Sequence, residues 1–195
     1  MLIQTLKDKK KIYARSCTLS TIDSKVADEF LSQYHLQGTV RNQTICLGLF
    51  HENDLVQVMT FGSPRFTKKY NYELLRLCTK PEFEVIGGAS KLFKHAVRDL
   101  NLTNIISYCD LAKFNGDVYQ KIGMKLDHVA EPQEIWSKGN RKITANLLRQ
   151  RGYDQIFNTN YGKGTSNDEL MLTNGWLPVY DCGQAAYVYG DEYEK

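Results

Sequence analysis

Apolar residues along this chain fall into short alternating or continuous runs broken by polar turns, with a few stretches at helical spacing. Residues 11–19 (KIYARSCTL) read as a short strand running into a turn. Asp23 and Ser24 can cap a helix through His35 that puts Val26, Phe30, Leu31 and Tyr34 on one face. Residues 44–50 and 55–61 pattern as two strands, joined as a hairpin by the polar HEND at 51–54. Gly62-Ser63-Pro64 ends the second strand, and residues 71–79 form another, rich in buried types. Pro81 to Ala89 reads as a loop closing on Gly87-Gly88. A helix follows at once, because Ala89, Leu92, Phe93, Ala96, Val97 and Leu100 share one helical face.

Residues 104–109 read as a buried strand ending at Asp110, 116–122 as a short helix stopped by Gly123, and 124–130 as a strand. Ile135 and Trp136 suggest one more. Residues 140–152 pattern as a basic helix with Ile143, Leu147 and Leu148 on its apolar side, and 153–165 as a loop. Ser166 with Glu169 forms a capping-box pair for a short helix that Gly175 can end. Trp176–Cys182 and Gln184–Tyr189 are the last strands. The order is mixed α/β with a partly antiparallel sheet. We expect one domain, with a helical insertion at about 140–175.

The chain of 195 residues can bury a full core without disulfide or metal staples. Its 42% apolar and 24% charged residues exclude disorder, collagen-like structure and low complexity. No run approaches the roughly 20 apolar residues of a membrane span. The N-terminus has the wrong order and length for a secretory signal, so a cytoplasmic location is expected. Five cysteines without a CxxC pair argue against a disulfide framework, and Cys46, Cys78 and Cys109 read as buried thiols. The net charge is only +3, but it is uneven. Residues 1–80 hold 12 Lys/Arg against 7 Asp/Glu, and 138–164 hold six basic residues against Asp154 alone. Either region can bind phosphates or be a solvated surface.

The strand–loop–helix of residues 71–100 carries the clearest chemistry. A glycine loop opening a helix presents free backbone N–H groups at the positive end of the helix, which suits an anion. The same glycines also suit a plain tight turn. The spacing is neither GxxxxGK[ST] nor GxGxxG.

Glu84-Val85-Ile86-Gly87-Gly88-Ala89 resembles the pyrophosphate loop of GNAT-type acyltransferases, Q/R-x-x-G-x-G/A. Asn115 to Met124 resembles that family's second cofactor segment. Further likeness lies in His35-Leu36-Gln37-Gly38, Met59 to Arg65, Glu73 to Cys78, Val85 to Phe93, Ser107 to Asp110 and Tyr180 to Gly183. Together these resemble a phage domain found after the nuclease of some homing endonucleases, and are similar to the Mom group of phage DNA-modification proteins. With no nuclease segment ahead of it, the domain is expected to stand alone.

The resemblance implies a GNAT-like fold, acetyl-CoA or another acyl-CoA as donor, and DNA as partner. It implies cofactor contacts at Leu77, Cys78, Ile86, Gly87, Gly88, Ala89, Ser90 and Asn115. Glu84 departs from the pattern, and a carboxylate turned inward there would repel a pyrophosphate.

Attack of an amine on a thioester needs a base, an oxyanion donor and an acid for the leaving thiolate. Asp110, at the end of a central strand, is the candidate base. Tyr119 stands where the GNAT resemblance implies the acid, or is a packed aromatic with its hydroxyl bonded nearby, and Ser107 and Glu73 complete the expected catalytic set. Strand alternation puts Glu73 and Arg76 on opposite sides. His35 is either a charged C-terminal cap of its helix or a substrate contact. Arg65, Arg76, Tyr108, Arg149 and Arg151 are expected to face substrate or nucleic acid. Phe66, Tyr70, Tyr72, Tyr153, Phe157 and Tyr161 are aromatics near basic positions, available for stacking or for the core. No histidines stand at ligand spacing, so no metal is expected, although His35 with Asp110 is the pair to test. Two other functions fit the same residues. One is a nucleic-acid-binding module that kept the fold and lost the donor, the other an N-acetyltransferase acting on a small amine or protein.

Overall fold

The computed structural model describes residues 9–144, 147–148 and 167–190. The chain groups into two compact units. The first comprises Met1–Cys109, Gly116–His128 and Ala186–Lys195, and the second Asp110–Asn115 and Val129–Ala185.

The first unit opens with β1 (Lys10–Tyr13), a 3-10 turn (Ala14–Ser16) and β2 (Thr18–Thr21). Helix α1 (Ser24–Tyr34) starts as its sequence demands: the Asp23 carboxylate accepts from Lys25 N at 2.8 Å. Its Ala27, Phe30 and Leu31 bury against Cys46, Val58 and Cys78. Val26, expected on that face, is exposed. Strands β3 (Gln43–His51) and β4 (Asp54–Gly62) form the expected hairpin, with Glu52 and Asn53 at positive φ in its turn. Then come β5 (Tyr72–Thr79), β6 (Phe83–Ile86) and helix α2 (Gly88–Arg98). Strand β6 lies where a loop was expected and pairs in parallel with β1, Lys11 beside Glu84. Strand β7 (Ile105–Asp110), helix α3 (Asp117–Lys121) and strand β8 (Lys125–Ala130) follow. With β12 (Gln184–Tyr189) they complete a seven-stranded sheet of order β2-β3-β4-β5-β7-β12-β8.

Two irregularities in this sheet matter. First, β5 carries an extra residue against β4: Thr60 opposes Arg76, and Phe61 opposes Leu74. Leu75 is the bulge, and it reverses the alternation around it. Directly opposed residues share a face, so Gln57, Leu77 and Thr79 lie on one face of the sheet. Val58, Cys78, Arg76 and, past the bulge, Glu73 lie on the other. The simple alternation that set Glu73 and Arg76 apart is thereby corrected. Second, β5 pairs with β7 only at Tyr72–Ile105 and Glu73–Ile106. Beyond Glu73 the two parallel strands part, and the β7-facing backbone of Leu75–Thr79 has no strand partner among the described residues.

The second unit holds a three-stranded antiparallel sheet, β10 (Arg141–Thr144), β9 (Glu134–Lys138) and β11 (Leu177–Tyr180), with helix α4 (Asn167–Thr173). Trp136, Ile143, Leu148, Met171 and Trp176 form its core. The basic helix expected over 140–152 begins instead as β10. Gly139-Asn140 is a two-residue hairpin turn with Gly139 at φ +55°, and Lys138 faces Arg141. Residues 149–166, which hold Arg149, Arg151 and the Ser166 cap, lie outside the described residues.

Candidate active site

Gly87 caps α2 in the left-handed region, at φ +77° and without a side-chain hydrogen bond. The N–H groups of Gly88, Ala89 and Ser90 begin the helix and therefore have no intrahelical acceptor. They border a cavity of about 370 Å³. Leu77 and Thr79 of β5, Gln57 of β4, Val118 and Lys121 of α3 and Ile122 line its other walls. A second hollow of about 690 Å³ shares Gly87 and Ser90, and Arg15, Lys91, Lys94 and Arg98 make it cationic. Lys91 Nζ donates to the carbonyls of Ala14 (2.9 Å) and Cys17 (2.6 Å), tying α2 to the 3-10 turn.

Gln57 was not foreseen, although it is the polar residue in an apolar strand. It is buried, donates from Nε2 to Thr79 Oγ1 at 2.8 Å, and leaves Oε1 without a partner. Turning the amide over would orphan the nitrogen instead. That atom sits against Gly88, where a β-carbon would collide with it and come within 2.8 Å of Val85 Cγ1. An unpaired buried amide beside free helix amides is a cradle for a ligand that carries both amide and phosphate groups.

Of the residues expected to touch cofactor, Leu77 and Gly87–Ser90 line this cavity. Ile86 does not line it and is exposed. Cys78 points to the opposite face, into the α1 core, where burial pushes its thiol up to about 12. Asn115 belongs to the second unit. Glu84 also lines the cavity, but its side chain is 52% exposed and stands 3.9 Å from Lys11 Nζ, which offsets its charge.

The other face of β5 holds a polar cluster. Glu73 is fully buried. Its Oε1 accepts from Arg65 Nε at 2.9 Å and Nη2 at 2.5 Å, and its Oε2 accepts from Arg65 N at 2.8 Å. Arg76 donates from Nε to Gly38 O (3.0 Å) and from Nη1 to Leu75 O (2.9 Å). Burial, then the neighbouring Arg65, lowers its pKa. Near it, His35 is pushed down to about 4 by burial and by Arg76. It is therefore neutral at pH 7, not a charged helix cap. Its Nδ1 accepts from Gln37 N at 3.1 Å, which leaves the proton on Nε2.

Ser107 and Tyr119 stand where β5 and β7 part. Ser107 Oγ donates to Leu74 O at 2.8 Å. The Tyr119 hydroxyl lies 3.5 Å from Tyr108 O, and its ring stacks on Tyr187 at 4.8 Å. Burial raises the Tyr119 pKa, against a lowering hydrogen bond with Ser107. Gly116 is required beneath this stack, because any β-carbon there meets the Tyr187 hydroxyl. Asp110, in the second unit, accepts from Ala112 N at 3.1 Å and Lys113 Nζ at 2.6 Å.

The sequence model of the Mom protein family matches residues 16–168. The chain belongs to the Mom protein family. The ribosomal-protein-S18-alanine N-acetyltransferase of Escherichia coli is similar in structure, with TM-score 0.50 and 9% identity over 92% of this chain and 97% of that one. The polyamine N acetyltransferase of Drosophila melanogaster matches with TM-score 0.50 and 9% identity over 90% and 100%. At such identity the likeness shows the fold alone, which is that of the GNAT acetyltransferases. Comparison with curated proteins gives no match.

Proposed function

We propose that this Mom-family chain is an acyl-CoA-dependent transferase that modifies a base in DNA. The observation that carries the reading is the parting of β5 from β7, with the α2 cavity on one face of β5 and the Arg65–Glu73–Arg76 cluster on the other. A donor on the first face and an acceptor on the second can meet only through that gap.

When bound, an acyl-CoA supplies an acyl thioester. The N–H groups of Gly88, Ala89 and Ser90 hold its pyrophosphate, and the cationic hollow beside them takes a further phosphate. The edge of Arg76–Thr79 that no strand covers and the orphaned Gln57 amide would satisfy the polar groups of its arm. A backbone N–H on that edge would polarise the carbonyl of the donor's thioester. Tyr119 keeps its proton at neutral pH and can release it to a leaving sulfur. Neutral His35 offers an N–H to the acceptor, and Arg76 brings positive charge to the same side.

DNA extracted from cells expressing the chain, digested to nucleosides and weighed, should contain a nucleoside of raised mass. Expression of Tyr119→Phe should reduce it at least tenfold. Unmodified DNA, with acetyl-CoA binding intact, would move the acceptor to a small amine or protein.

A further inference from the structure

The loop Ser63–Asn71 joins β4 to β5 and carries Arg65, Phe66, Lys68 and Lys69. It is fastened at both ends. At the front, both oxygens of the fully buried Glu73 are committed to Arg65. At the rear, Asn104 Nδ2 donates to Lys69 O at 3.0 Å, and Asn71 N donates to Asn104 O at 2.9 Å. A carboxylate buried to hold one exposed loop is expensive unless that loop's geometry matters.

What the loop holds in solvent is the ring of Phe66, which is 69% exposed. Tyr108 meets it edge-on, with centroids 5.2 Å apart at 85°. The Arg65 guanidinium lies 5.2 Å from its centre. Tyr108 packs in turn on Tyr70, Ile106 and Val188. An aromatic shelf thus runs from core to solvent. Arg65 lies over one face of its outer ring, Lys69 Nζ stands 5.6 Å from the centre of the Tyr70 ring, and Lys68 is exposed on the same loop.

We infer that Phe66 is a stacking platform for an unpaired nucleobase. This rests on the DNA reading above and deepens it. The ring face away from Arg65 can stack on any base, and the ammonium groups of Lys68 and Lys69 can donate to its phosphates. In a duplex both faces of each base are covered by its neighbours, so the shelf can grip only a base that is single-stranded, terminal or swung out. Tyr108 adjoins Ser107, and its carbonyl lies 3.5 Å from the Tyr119 hydroxyl. The shelf therefore delivers an unpaired base to the edge of the gap between β5 and β7. The substrate is single-stranded or locally opened DNA.

The test is fluorescence anisotropy with a labelled single-stranded dT oligonucleotide and a duplex of equal length, using the full chain over a range of salt. The wild type should prefer the single strand. Phe66→Ala should lose about tenfold or more on the single strand without change in salt dependence. Phe66→Trp should retain binding. Lys68→Gln with Lys69→Gln should instead flatten the salt slope, by about 0.7 per lysine. Phe66 and both lysines are exposed, so an unchanged thermal midpoint is expected and verifies the fold of each variant. Equal single-strand binding by wild type and Phe66→Ala would overturn the platform while leaving DNA as the partner. No binding of either DNA by the wild type would overturn the platform and the DNA reading together.

Discussion

Glu73 illustrates how a single residue changes meaning once its neighbours are known. In the sequence it is a charged residue in an apolar strand, and a buried unpaired charge there would be costly. That argument rightly demanded a partner, but a period of two excluded Arg76 and could not nominate Arg65, which comes from a loop eight residues earlier. The bulge at Leu75 is invisible in ELLRLC, so the side of the strand on which Arg76 lies was unreadable. Removing the partner tests the pair: Arg65→Ala should cost about 3 kcal/mol in urea unfolding, because Glu73 is left buried and alone. His35 gives a second test. Its folded pKa of about 4 lies below the ordinary 6.5, so the unfolded chain takes up the proton first. Its contribution is present above pH 6.5 and lost as pH falls toward 4. We expect a loss of up to about 2 kcal/mol over that window, absent in His35→Gln.

Elements with one strong signal were legible. Helix α2 followed from its apolar face and glycine start, α1 from its Asp23 cap, and the β3–β4 hairpin from a polar turn between apolar runs. Strand β6 was not legible, because Phe83 to Ile86 is stabilised by a partner, β1, that lies seventy residues away. Strand β10 was misread although Gly139-Asn140 is a hairpin signal, because the basic residues after it also fit a helix. The glycines that open the two helices of the site can be told apart by measurement. A β-carbon at Gly87 would only touch Ala14 Cβ at 3.8 Å, an ordinary contact, so Gly87→Ala should cost only the left-handed backbone, about 1–2 kcal/mol. Gly116→Ala should cost more, because its β-carbon also displaces Tyr187 from Tyr119. Urea midpoints would rank them, and the reverse order would contradict the stacked pair.

At the scale of the whole molecule, both tryptophans, Trp136 and Trp176, lie in the core of the second unit, so selectively excited tryptophan fluorescence reports on that unit. Met171→Ala should lower the fluorescence-detected midpoint by about 2–5 kcal/mol of stability, since Met171 is fully buried there. The fold and its family were readable from motifs spread over the chain, as was the loop that lines the α2 cavity. The placement of Arg149 and Arg151 stays outside the described residues. The central claim is that the start of α2 and the open edge of β5 hold an acyl-CoA. The most direct measurement is calorimetric titration of the chain with acetyl-CoA beside Ser90→Asp. An aspartate in the first turn favours the helix yet repels a pyrophosphate, so folding and binding separate. The account predicts saturable one-to-one binding by the wild type, weakened at least tenfold in Ser90→Asp at unchanged or higher thermal stability. No binding by the wild type, or equal binding by both, would contradict it.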